Sequence, residues 1–225
     1  MAGFGFVIAV VLAYFLGNIN SATIISSTVF REEIRKKGSG SAGATNVFRN
    51  FGAGWGFLTM LLDAVKGYIA YFVGYAIGYW LAGELNANWY AAVAGIAAVL
   101  GHNWPALHGF KGGKGIATTF GVMLACKPVV GLIAFLLAAL AVVVTNYMSI
   151  GSLLAAAFAE VCCLVMGPAP ARVMMTVLTL LIIWQHRENI KRLMAGTENT
   201  MMRRSLMDVF RGKGKQKHDN PRDLK

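Results

Sequence analysis

Long apolar runs alternate with short polar segments along this chain. Residues 4–30 form the first run, and the polar stretch Arg31 to Asn50 follows. Further apolar runs cover about 55–80, 89–100, 116–126, 129–145, 150–166 and 172–185. Polar or proline-containing breaks separate them at Gly83 to Asn88, Gly101 to Gly115, Lys127-Pro128 and Gly167-Pro168-Ala169-Pro170, and from His186 onward the chain is polar. No Asp, Glu, Lys or Arg occurs in 67–83, 85–110, 128–159, 161–171 or 173–186. A helical crossing needs about 20 apolar residues, so the gap 128–159 has room for more than one. The pattern predicts an all-α polytopic membrane protein with seven transmembrane helices. No basic cluster precedes the first run and no A-x-A-like cut follows it, so it is expected to stay as an uncleaved span.

Composition sharpens this picture. Of 225 residues, 56% are apolar and only 14% charged, against about 25% charged in an ordinary soluble domain. A disordered chain and a soluble globule are both disfavoured. The net charge is +11, but most basic residues flank spans or sit in the tail, which argues for membrane orientation and against a nucleic-acid partner. In a seven-span layout, 18 of the 21 lysines and arginines fall on one side, in 31–50, 101–115 and 186–225. Lys127 and Arg172 fall on the other, and Lys66 lies within the second span. Basic loops stay cytoplasmic, so the N-terminus is expected outside and the C-terminus in the cytoplasm. Residues 1–198 read as the membrane-embedded unit. Residues 199–225 read as a basic cytoplasmic tail, polar and aperiodic enough to be expected disordered. Cys126, Cys162 and Cys163 lie in apolar stretches and offer neither zinc-ligand spacing nor a disulfide framework.

The polar, glycine-rich segments fall on the basic side. Irregular backbone near a membrane persists only where protein or water satisfies it, so a site at the cytoplasmic face is expected. The first such segment, Arg35 to Arg49, sets Gly38-Ser39-Gly40-Ser41-Ala42-Gly43 between basic clusters. Its glycines let backbone N–H groups approach an anion, and Arg49 can clamp a phosphate bidentately. A flexible basic loop against anionic lipid heads has the same composition. The second is Gly109-Phe110-Lys111-Gly112-Gly113-Lys114-Gly115, opening a helix. It fails the Walker A pattern, yet backbone N–H groups at a helix start suit phosphate; the competing reading is a plain re-entrant turn. In the third, His186 and Asn189 share one face of a polar helix, which could equally be a juxtamembrane helix. Asp63 and Lys66, at i and i+3, are expected to form a structural ion pair within a span. His218 and Asp223 form an H-x-x-x-x-D pattern in a tail with no apolar residues to fix it, and are not expected to act.

Together these segments resemble the bacterial acyl-phosphate:glycerol-3-phosphate acyltransferases, the PlsY family. The matching stretches are Gly38 to Arg49, Gly109 to Thr118, His186 to Glu198, and Asp63-Ala64-Val65-Lys66-Gly67, in a resemblance spanning about residues 5–198. It implies seven transmembrane helices in the bacterial plasma (inner) membrane and transfer of a fatty acyl group from acyl phosphate to the sn-1 hydroxyl of glycerol 3-phosphate. The products would be lysophosphatidate and inorganic phosphate, in the first step of phospholipid synthesis. No metal or other cofactor is implied, and a soluble enzyme that makes acyl phosphate is an implied partner. By the same resemblance Ser39, Arg49, Lys114, His186 and Asn189 are catalytic. Thr45, Asn46, Lys111, Gly112, Gly113, Gly115 and Ser149 bind substrate, and Glu188 is structural. The chain departs from the family pattern in having Ser41 for Asn, Asn146 for Arg, and no Pro-Phe-Gly in Gly17 to Ala22. A small transporter and a catalytically impaired relative are the alternative readings, although no internal repeat supports the first. Acyl phosphate is already an activated mixed anhydride, so attack by a hydroxyl needs positioning and charge stabilisation more than a protein nucleophile.

Overall fold

The computed structural model describes residues 2–201, and every regular element among them is helical. Helix α1 (Ala2–Asn18) ends at a break, and α2 (Ser21–Thr28) resumes the run. The sequence predicted one continuous element here. Its interruption has a local cause, since short polar side chains compete for backbone partners. Asn20 caps α2 by accepting the Thr23 N–H at 2.8 Å. Asn18 donates to the Tyr14 carbonyl at 2.7 Å and accepts the Leu107 N–H at 3.2 Å.

The polar stretch that follows contains α3 (Ala44–Phe51), which carries Arg49. Then come α4 (Ala53–Ala82) and α5 (Glu84–Asn103). Gly83, at φ +82°, makes the turn between them alone, so Glu84 to Asn88, expected as loop, are the opening of α5. The rest are α6 (Ile116–Cys126), α7 (Pro128–Thr145), α8 (Met148–Met166), α9 (Ala169–Gln185) and α10 (Arg187–Met194). Pro128 opens α7, where its missing N–H and fixed φ are suited to the first turn.

The later predicted spans each fall within one helix, and the first is divided between α1 and α2. Among the described residues, four segments are long and apolar enough to cross a membrane: Gly3–Thr28, Ala53–Ala82, Pro128–Thr145 and Met148–Met166. Helices α6 and α9 are apolar but shorter, at 11 and 17 residues. Large apolar side chains such as Leu140, Val165 and Leu180 point outward, as a lipid-facing surface requires. Inside, Val99, Val122, Met174, Met175 and Leu178 form the fully covered core. Close helix packing comes from small residues. A Cβ on Gly121 of α6 would overlap the Ala64 carbonyl of α4, and one on Gly67 would overlap that of Thr118.

The longer polar segments between these helices, and the stretch that follows α10, meet at one end. Tyr14 Oη donates to the Trp104 carbonyl at 2.8 Å, and the Ala42 N–H to that of Gly112 at 3.3 Å. The Met201 N–H donates to the Asn146 carbonyl at 2.7 Å. Residues 199–201 therefore lie on the helical body. The remainder of the expected tail, with His218 and Asp223, is outside the described residues.

Candidate functional site

The glycine loop hangs from the end of α5. Its Gly112 and Gly113 N–H groups donate to the Asn103 and His102 carbonyls, both at 3.2 Å. A Cβ on Gly112 would overlap the His102 carbonyl, and one on Gly113 would overlap His102 Nε2. These two glycines, expected to cradle phosphate with their N–H groups, use those groups to seat the loop. The donors left for an anion are Lys114 and the first-turn N–H groups of α6, which have no intrahelical partner. Gly115, at φ +80°, makes the turn into that helix.

The first motif forms the opposing loop. Asn46 is buried, and its amide nitrogen lies 3.0–3.1 Å from the carbonyls of Ile34, Lys37 and Ser41, which share its two N–H donors. Its oxygen accepts the Ser39 N–H at 3.2 Å. Asn46 thus braces the loop that presents Ser39, and its side chain is fully engaged, its oxygen also accepting from the Asn50 amide at 3.0 Å. Ser39 is exposed, and Thr45 is half-buried beside Asn46.

The centre of the arrangement is a carboxylate that the sequence reading did not single out. Glu198 accepts from Asn189 at 2.5 Å, from Ser149 at 3.0 Å and from Arg192 at 2.8 Å. Lys114 Nζ donates to Asn189 Oδ1. Arg49 donates one guanidinium nitrogen to the Asn199 carbonyl at 3.0 Å, while its Nε is buried without a partner among the described residues. Arg49, Lys114, Ser149 and Asn189, from four parts of the chain, are thereby joined through Glu198 and its flanking segment. His186 is buried nearby, with Nδ1 2.9 Å from the Ile182 carbonyl. That contact places a proton on Nδ1 and leaves Nε2 as an acceptor.

The electrostatics follow from this burial. Burial pushes the Lys114 ammonium down to about 8; Glu198 opposes the shift, and Arg192 and Arg49 add to it. Burial also raises Glu198, but hydrogen bonds from Asn189, Arg192 and Ser149 outweigh it and hold the carboxyl below its usual range. Burial and the nearby Lys114 lower His186 to about 4, so its imidazole is neutral at neutral pH.

Other expected site residues lie apart from this cluster. Lys111 lines a cleft of about 500 Å³ with Glu33, Arg35, Lys36, Gly40, His108 and Gly109. Arg35 is held there by Glu33 at 2.8 Å and by the His108 carbonyl at 2.9 Å, and Lys36 and Lys111 also line the cleft. Glu188 is exposed and pairs with Lys191 at 3.1 Å, the kind of surface pair that contributes little to stability. The buried carboxylate of this region is Glu198. Asp63 and Lys66 sit 2.8 Å apart in the buried part of α4, and His102 joins them.

Two family departures have local explanations. Asn146 adopts φ +63° to end α7, a left-handed position that asparagine tolerates well, and it meets Met201 through its carbonyl. Ser41 likewise serves Asn46 through its carbonyl, a contact that does not depend on its side chain.

Fold and site together define an integral membrane protein of helical build, with a basic site where its longer polar segments meet. The chain belongs to the glycerol-3-phosphate acyltransferase family, whose model matches residues 7–196. The glycerol-3-phosphate acyltransferase of Halalkalibacterium halodurans is 40% identical over 200 residues, covering 87% of this chain and 95% of that one. Glycerol-3-phosphate acyltransferase 1 of Deinococcus radiodurans is 41% identical over 196 residues, covering 86% and 94%. Among solved structures, PlsY (YgiH), an integral membrane glycerol 3-phosphate acyltransferase, superposes in its glycerol 3-phosphate form with a TM-score of 0.80. The identity is 36%, over 91% of this chain and 98% of that one. Its lysophosphatidic acid form gives 0.77 at 34% identity. The protein is accordingly a membrane acyltransferase of phospholipid synthesis.

Proposed function

We propose that this acyltransferase takes its acyl group from acyl phosphate and delivers it to the sn-1 hydroxyl of glycerol 3-phosphate, releasing lysophosphatidate and inorganic phosphate. The observation that carries the reading is the convergence of Arg49, Lys114, His186 and Asn189 around Glu198 beside the start of α6. Both substrates bring phosphate groups, whose mutual repulsion must be offset. Lys114, Arg49 and the helix-start N–H groups supply that positive potential in a partly water-excluded place. The helices cross the bacterial inner membrane seven times, with the N-terminus outside and this site at the cytoplasmic face.

The acceptor oxygen forms a bond to the acyl carbon, and the bond from that carbon to the phosphate oxygen breaks. Phosphate leaves with the electron pair, and the hydroxyl proton passes to a phosphate oxygen. His186, neutral and with Nε2 open, accepts a hydrogen bond from the hydroxyl and orients it. Ser39 supports the transferring acyl phosphate by hydrogen bonding. No base within hydrogen-bond reach of its hydroxyl is present among the described residues, and a serine without one is a weak nucleophile.

Phosphate release by purified protein tests this reading. Release should require acyl phosphate and glycerol 3-phosphate together and equal the lysophosphatidate formed, and no lysophosphatidate should form when acyl-CoA replaces acyl phosphate. Turnover with acyl-CoA at a comparable rate would overturn the donor assignment.

A further inference from the structure

Directly behind the glycine loop lies a buried charged group with no part in the chemistry above. The side chains of Lys66, Asp63 and His102 are 6%, 2% and 4% exposed. Such residues are expensive within a membrane span, and an apolar replacement would often be no less stable than a buried ion pair. Helices α4 and α5, which carry these residues, already pack closely through Gly74 and Gly78, where an added Cβ would overlap Ala94 and Tyr90. Helix packing therefore leaves this network unexplained.

With Lys66 as an ammonium beside Asp63, the geometry selects one tautomer of His102. Lys66 Nζ reaches Asp63 Oδ1 at 2.8 Å, the Ile19 carbonyl at 2.7 Å and His102 Nδ1 at 2.9 Å. An ammonium has three donors and no acceptor. Two are taken by oxygens, so the third goes to His102 Nδ1, which must present its lone pair. The ring proton is then on Nε2, the atom that a Cβ on Gly113 would overlap. Asp63 is steadied in turn by Ser21 Oγ at 3.0 Å. The Ile19 carbonyl is available because the chain breaks between α1 and α2. His102 meets the loop twice, through this ring edge and through its carbonyl, which accepts the Gly113 N–H.

We propose that His102 is a positioning residue: held by Lys66 and Asp63 with its proton on Nε2, it seats the Gly112-Gly113 loop and so sets Lys114 and the start of α6 for the acceptor's phosphate. The proposal rests on the reading that glycerol 3-phosphate binds at this loop. Its consequence is selective. Disturbing His102 should weaken glycerol 3-phosphate and spare acyl phosphate.

Two measurements test it. In ¹⁵N-histidine NMR of the wild-type protein in detergent, the His102 ring, assigned by its loss in His102→Asn, should be protonated at Nε2 only. A proton on Nδ1 would overturn the proposal whatever the variants do. In steady-state kinetics, His102→Asn keeps an acceptor for Lys66 where Nδ1 stands but loses the Nε2 edge. It should raise the KM for glycerol 3-phosphate about tenfold or more, the scale of a small misplacement near a reacting group, with the KM for acyl phosphate and kcat little changed. His102→Gln, whose amide nitrogen reaches the Nε2 position, should recover most of the loss. Wild-type KM in His102→Asn, or an equal fall in every parameter in both variants, would show that the ring only fills space. Failure of the underlying function would look different: the wild-type protein itself would then release no phosphate in response to glycerol 3-phosphate.

Discussion

Arg49 enters the site with one guanidinium nitrogen on the Asn199 carbonyl and its Nε buried and unpaired. A planar fork in that position can hold two oxygens of one phosphate, which a lysine cannot. Arg49→Lys should therefore lose turnover by about tenfold or more, the worth of one or two charge-assisted hydrogen bonds, in protein that still folds. Near-normal kcat/KM in that variant would show that charge alone suffices. Lys114 carries a pH signature. Its ammonium, lowered to about 8, is charged below that pH and neutral above it. The affinity of the free enzyme for glycerol 3-phosphate should fall as pH rises through about 8, and Lys114→Arg, which stays protonated, should shift that limb upward. An identical pH profile in Lys114→Arg would assign the titration elsewhere. Arg49, Lys114, His186 and Asn189 are legible in the sequence because each sits in a short motif with its own chemistry. Glu198 and His102 are harder to see. Their importance lies in contacts with residues such as Ser149 and Lys66, which no local spacing reveals.

At the scale of elements, apolar periodicity exposes the spans well, since lipid and core both demand apolar runs. It fails where small polar side chains redirect the backbone. Asn18 and Asn20 break the first run, and Glu84 to Asn88 turn out helical because Gly83 alone makes the bend. The glycines within spans are another blind spot, as only the neighbouring helix reveals why Gly67 and Gly121 are small. Gly121→Val should drive a side chain into the Ala64 carbonyl of α4. Such overpacking typically costs about 1–3 kcal/mol, so the melting temperature in detergent should drop, and activity with it, because α6 carries the phosphate-facing N-terminus. An unchanged melting temperature would mean that α4 and α6 separate freely.

For the whole molecule, the proposed orientation rests on the distribution of Lys and Arg, which gathers on one side with the polar segments 31–50, 101–115 and the stretch from His186 onward. Leu85 is 93% exposed near the Gly83 turn, and Met194 is 85% exposed on α10. In a background without native cysteines, Leu85→Cys and Met194→Cys should react with impermeant reagent from opposite faces of the membrane, the former from outside. Labelling of both from one face would contradict the seven-span layout.

Direct transfer between two substrates held together makes the sharpest demand on the whole assembly. Rapid-quench measurement of phosphate, with mass spectrometry of the protein from the same samples, distinguishes it from a covalent route. With acyl phosphate alone, no burst of phosphate and no acyl adduct should appear; with glycerol 3-phosphate added, phosphate and lysophosphatidate should rise together in equal amounts. A burst approaching one phosphate per protein without acceptor, with an acyl group on Ser39 that later passes to glycerol 3-phosphate, would contradict direct transfer.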